Sequence, residues 1–137
     1  MAYLIDTNVL CESSKPSPDP SVIQWLADHD AQLYVSVLSL GAMLKGIHLL
    51  DAGKRRHDIE HCYQRIERWA ANRILSLDAA VMTTWGRLYA EHQRNGRKLL
   101  LPDCLLAATA RHYQLTIITI ITRNTSDFPA DMPMLNP

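Results

Sequence analysis

The chain has 137 residues, and fourteen Lys and Arg balance fourteen Asp and Glu for a formal net charge of zero. With 47% apolar and 20% charged residues it fits one globular domain, residues 1–137, able to bury a core; disorder, collagen and disulfide scaffolds are excluded. Neutrality also argues against holding nucleic acid by bulk charge alone.

In chain order, Tyr3–Ile5 reads as a buried strand ending in a polar turn at Asp6-Thr7-Asn8. Pro16, Pro18 and Pro20 mark an extended loop, and Pro20-Ser21 opens a helix with Val22, Trp25 and Leu26 on one face. Leu33–Val37 is a short strand. The next helix, about Leu40–Leu50, carries the stripe Leu40, Met43, Leu44, Ile47, Leu50, with Ser39 as its expected N-cap. A helix over Arg55–Ala71 turns Ile59, Cys62, Tyr63, Ile66 and Trp69 inward, followed by a strand at Ile74–Leu77. Asp78 caps a helix with Val81, Trp85, Leu88 and Tyr89 inward, and Asn95-Gly96 stops it. Pro102 starts a helix running to about Tyr113. Leu115–Thr122, LTIITIIT, is a β-branched strand ending in a turn at Arg123-Asn124. Strands alternating with helices predict an α/β fold with a mainly parallel sheet, and no internal repeat or linker appears.

The zero charge is a sum of unlike parts. Residues 1–40 carry five acids against one Lys, residues 41–123 thirteen bases against seven acids, and residues 124–137 two acids. A polyanion can therefore find a basic face, with Lys54-Arg55-Arg56, Arg87, Arg94, Arg97 and Lys98 as candidate phosphate contacts, each more commonly a solvated charge. Cys11, Cys62 and Cys104 match no zinc spacing and are expected as reduced thiols. No apolar run approaches the ~20 residues of a membrane span, and Asp6 interrupts the first apolar stretch; a soluble, cytoplasmic protein is expected. His57 and His61, four apart, lack an evident third ligand and read as a helix surface.

Ligands of parallel α/β sheets sit beyond the carboxyl ends of the strands, which directs attention to Asp6 and Asn124. Asp6 alone reads as a turn or cap, and Asp103, one residue past Pro102, as an acid favoured by a helix N-terminus. Two or three carboxylates converging at such a crevice would instead hold Mg²⁺ or Mn²⁺, ions that prefer oxygen and activate water against a phosphate.

The segments YLIDTNVLCE, PDPSVIQWL, LYVSVLSLGAMLKGI, RILSLDAAV, WGRLYAE, LLLPDCLLAATA and TRNTSDF follow the order found in PIN-domain ribonucleases. As an ordered set, they resemble the VapC/FitB-type toxins of bacterial toxin–antitoxin pairs, over nearly the whole chain. The resemblance implies a three-layer α/β/α fold, Mg²⁺- or Mn²⁺-dependent cleavage of RNA (tRNA among the candidates), inhibition of translation, a homodimer, and a VapB-like antitoxin in a hetero-oligomer. It assigns Asp6 and Asp103 as metal ligands, Asn124 to a position that is acidic in some relatives, and Asp127 to a supporting place in catalysis. Thr7 and Asn8 would orient Asp6 or its water, and Arg123 would support the same site. The antitoxin would fill a groove between the Trp25 helix and the Leu40–Leu50 helix, with a basic residue reaching toward Asp6 and Asp103.

One departure stands out. The family pattern S-x-x-(S/T)-x-G-E reads SVLSLGA here, so Ala42 occupies the place of an expected metal carboxylate, and no acid lies between Val37 and Leu50. On a helix of 3.6 residues per turn Ala42 lies opposite Leu40, on a polar face, and a Glu there could have completed a capping box with Ser39. The expectation is a catalytically weakened form, as either natural drift or a designed Glu replacement would leave it; the bland alternative has a neighbouring acid or a water substituting. The runner-up function is a non-catalytic PIN-like interaction protein that binds an antitoxin or RNA. A receiver-type signalling domain ranks third, lacking a clear acidic pair and Lys. The repeated Ile-Ile-Thr reads as a small insertion that shifts the register of Asn124.

Overall fold

The computed structural model describes residues 2–98, 100–113, 118–121 and 134–135, with the side chains of Thr7, Asn8 and the last two segments excepted. Strand β1 (Ala2–Ile5) leads into a single helical turn α1 (Thr7–Leu10), then α2 (Pro20–Asp28), β2 (Leu33–Ser36), α3 (Val37–His48) and α4 (Lys54–Trp69). After these come β3 (Ile74–Leu75), α5 (Ala79–Arg94), α6 (Leu101–His112), β4 (Ile118–Ile121) and β5 (Met134–Leu135). The strands form one sheet in the order β3-β2-β1-β4-β5, and every pairing is parallel. The expected parallel α/β architecture is thus present, with β1 at its centre.

Alternation along β1 divides the core. Leu4 points into a cluster with Val81 and Leu88 of α5 and Cys104, Ala107, Ala108 and Ala110 of α6. Tyr3 and Ile5 point the other way, against Val9, Val22 of α2 and Leu33 of β2. Val35, Leu40, Cys62, Ile66 and Ala70 extend that second face through α3 and α4. Period-two alternation against helical stripes gives the three layers.

Local chemistry sets several boundaries as expected. Asp19 caps α2 ahead of Pro20, its Oδ1 accepting from the Ser21 amide at 2.9 Å. Asp78 caps α5 through the Val81 amide at 3.0 Å. Helix α5 ends at Gly96, whose φ of 72° suits a residue without Cβ. There the Arg97 amide reaches back to the His92 carbonyl and the Gly96 amide to that of Gln93, which together stop the helix.

Three expectations are corrected. The residues after Asp6 are helical, with the Val9 amide donating to the Asp6 carbonyl at 3.0 Å; one turn is too short to show a period. Helix α3 begins three residues earlier than expected. Its cap is Ser36, whose Oγ accepts from the Leu38 amide at 3.1 Å, because β2 pairs with β3 only through Ser36. Ser39 lies inside the helix, buried, its hydroxyl without a partner among the described residues. Ala42 is therefore six residues past the cap, and a Glu there cannot serve in a capping box.

Candidate functional site

Asp6 leaves the C-terminal end of β1, where every strand of the sheet points the same way, and is half-buried. It lines a cavity of about 430 Å³ with Cys11, Ala42, Met43, Ile47 and Arg55 among its neighbours. The methyl of Ala42, exposed as the helical wheel requires, thus shares a cavity wall with the Asp6 carboxylate. Asp103 stands half-buried in the first turn of α6, where a negative charge is favoured by the helix dipole. It does not line that cavity. Among the described residues no three His, Cys, Asp or Glu side chains cluster as a metal site. Arg123, Asn124 and Asp127 lie outside the described residues; of the repeated Ile-Ile-Thr, Ile118–Ile121 form β4 and the flanking Ile117 and Thr122 lie outside; Thr7 and Asn8 are placed by their backbone in α1.

A second cavity, about 700 Å³, adjoins the first: Cys11, Arg55 and Ile59 belong to both walls. Lys15, Lys54 and Asp58 complete its charged lining. Lys54 is paired with Asp58 at 2.9 Å on the open surface, and Lys15 with Glu12 at 3.1 Å. Of the basic run, Arg56 is engaged by Glu60 at 2.8 Å and by the Leu50 carbonyl, leaving Arg55 as the member that faces both cavities. Arg97 lies against the buried His92, while Arg87, Arg94 and Lys98 are surface charges remote from these walls. His57 and His61 meet edge-to-face at 4.3 Å on the exposed side of α4, a helix surface as expected.

Sequence reasoning missed Glu12. It is 2% exposed, at the turn following α1. One carboxylate oxygen accepts from the Asp19 amide at 3.0 Å and the other pairs with Lys15. A charge so deep is tolerated only when its oxygens are met, and here they fasten the proline loop to the strand-end turn. The spacing of Glu12 to Lys15, with Asp19 just before a Pro-started helix, was the available signal.

A third cavity, about 250 Å³, lies between α2 and α4, lined by Leu10, Leu26, Leu33, Ile66 and Trp69. Of the α3 stripe, Ile47 is 3% exposed and belongs to the core, whereas Leu44 is half-buried. At the rim, Asp30 accepts from the Trp69 indole at 2.8 Å and from Arg73 at 3.0 Å, which together hold its carboxyl below the usual range. Arg73 stacks over Trp69 at 4.4 Å.

Residues 3–126 match the PIN domain. The chain belongs to the PIN-domain family. Toxin FitB of Neisseria gonorrhoeae is 32% identical over 98% of this chain and 96% of its own length. A VapC ribonuclease of Sinorhizobium fredii, Y4jK, is 30% identical over the same shares. Among solved structures, FitAB bound to an IR36 DNA fragment superposes with a TM-score of 0.84 at 31% identity, covering 98% of this chain and 94% of that one. This PIN domain thus groups with the FitB and VapC proteins in both sequence and fold.

Proposed function

We propose that this PIN domain is a VapC/FitB-type toxin whose RNA-cleaving site is weakened at position 42. The observation that carries the reading is the shared cavity: Asp6 emerges at the strand ends, and the wall beside it is Ala42, where the family pattern calls for Glu. Asp6 and Asp103 are hard oxygen donors of the kind Mg²⁺ and Mn²⁺ take, and these two would hold the ion. When bound, the ion would activate water and offset charge on the scissile phosphate. Asn124, Asp127, Thr7, Asn8 and Arg123 remain the proposed supporting residues. Ala42 contributes neither a ligand nor a negative charge, so affinity for the ion falls. Arg55, facing both adjoining cavities, would take a backbone phosphate of the RNA.

The partner would be a VapB-like antitoxin, a reading supported by the FitAB complex among the neighbours, and the assembly would be a hetero-oligomer built on a toxin homodimer. Soluble action in the cytoplasm accords with the absence, among the described residues, of any helix long and apolar enough to span a membrane.

The test is A42E, assayed for RNA cleavage with and without Mg²⁺ or Mn²⁺, and titrated with Mn²⁺ by calorimetry. Cleavage and ion affinity should both rise at least tenfold over the natural chain, and D6N in the same background should remove the gain. Tight antitoxin binding with no cleavage gained in A42E would favour the non-catalytic interaction protein.

A further inference from the structure

The three cysteines, equivalent in sequence, are not equivalent in the fold. Cys104 is fully enclosed between α5 and α6, and burial pushes its thiol up. Cys11, at the end of α1, packs against the cluster that contains Cys62 of α4, and each thiol shifts the ionisation of the other. Three residues beyond each, Arg65 donates to Ser14 Oγ at 3.0 Å, so the turn is fastened to α4 beside the sulfurs. Both sulfurs adjoin open space. The half-buried Cys11 lines the two larger cavities, and Cys62, 3% exposed, lines the smallest one together with Arg65. Around Cys62, the Cys11 thiol, the Ser14 hydroxyl and the Arg65 guanidinium favour a thiolate and hold it near about 6, against the opposing effect of burial. Cys11 is pushed up by Cys62 and by burial.

We infer that Cys11 and Cys62 form a dithiol site that reacts with small disulfides of the glutathione class and closes to an intramolecular disulfide. Cys11, the more exposed of the two, attacks R–S–S–R as its proton passes to the Cys62 thiolate; a Cys11–S–S–R bond forms and one RS⁻ leaves, taking that proton from Cys62. The Cys62 thiolate then attacks the Cys11 sulfur and expels the second RS⁻, which takes a proton from solvent. Two protein thiol groups are thereby oxidised to one disulfide, and one small disulfide is reduced to two RSH. The new bond ties a wall of the Asp6–Ala42 cavity to α4, which links that cavity to the redox state around it. None of this depends on RNA cleavage.

The experiment treats the folded, reduced protein with glutathione disulfide, followed by intact mass and peptide mapping. The expected product has lost two hydrogen atoms, carries no glutathione, and links the peptides of Cys11 and Cys62; a dithiol reductant restores the starting mass. Thiol titration falls from three groups to one, that of Cys104. C62S should stop at a stable glutathione adduct on Cys11. A persistent adduct on the natural chain, a linkage to Cys104, a disulfide between molecules, or no reaction overturns the inference, and because these readings come from the natural chain they stand whether or not C62S folds.

Discussion

On one face of the sheet, α5 and α6 close over Leu4 with Val81, Leu88, Ala107, Ala108 and Ala110, all at 1% exposure or less. Small side chains on α6 let the two helices and the strand approach closely, with His92 of α5 and Thr109 of α6 as buried polar residues of this layer. The other face is built around charge and sulfur: Glu12 buried with Lys15, the Cys11–Cys62 pair, the Asp30–Trp69–Arg73 clasp, and three cavities, one of them walled by Asp6 and Ala42. The contrast teaches a division of labour. Close packing on one side supplies stability, and the other side is free to keep open space and reactive groups because it is not asked to hold the fold alone.

The largest effect that sharpens this contrast is L88A. Leu88 is fully buried in the dense layer, so truncation should cost about 2–5 kcal/mol, read as a lower urea midpoint, with the reactivity of Cys11 and Cys62 unchanged. E12A comes next. It strands the Asp19 amide and frees Lys15, for a loss of roughly 1–3 kcal/mol in the same measurement. An E12A loss as large as that of L88A would break the contrast by showing that the polar face bears equal weight.

The pH dependence should be of the same order as the E12A loss. Cys62 is held near about 6 in the folded chain, whereas an unfolded thiol titrates near ~8.5. Between these values the unfolded state binds more protons, so the Cys62 contribution grows with pH, is complete above ~8.5, and is lost as pH falls through 6. Cys11, raised, contributes below ~8.5 and loses its share at higher pH. Urea midpoints of the reduced protein should therefore climb from pH 6 to about 8.5 and decline beyond it, and C62S should flatten the rising limb. Smallest of all is the stability effect of A42E, within about 0.5 kcal/mol because position 42 is exposed; a larger loss would mean that the cavity wall is structural.

Elements defined by neighbours in sequence were legible. The Asp78 cap, the Gly96 stop and the buried strand at Tyr3–Ile5 depend on chemistry within one turn or one strand, and each appears where the pattern put it. The α3 start was not, because Ser36 and Ser39 are equally good caps and only the pairing of β2 with β3, set by residues 74–75, chooses between them. Of the candidate site, Asp6 stands at a strand end as the pattern placed it, and it shares a cavity with position 42. Glu12 and the cysteine pair escaped because their meaning lies in partners that folding brings from elsewhere: the Asp19 amide across the proline loop, and Cys62 from a separate helix.

The position of β1 also bears on when the molecule can act. Its four residues are made more than a hundred residues before β4, yet they pair with β2 on one side and with β4 on the other, residue for residue from Ala2 opposite Ile118 to Ile5 opposite Ile121. Synthesis at ~5–20 residues per second leaves that second edge waiting for seconds. Asp6, at the tip of the waiting strand, acquires its final surroundings only after β4 has emerged. A nascent chain on the ribosome therefore carries the acid without its final surroundings, and the finished domain can act only once the late strand has docked.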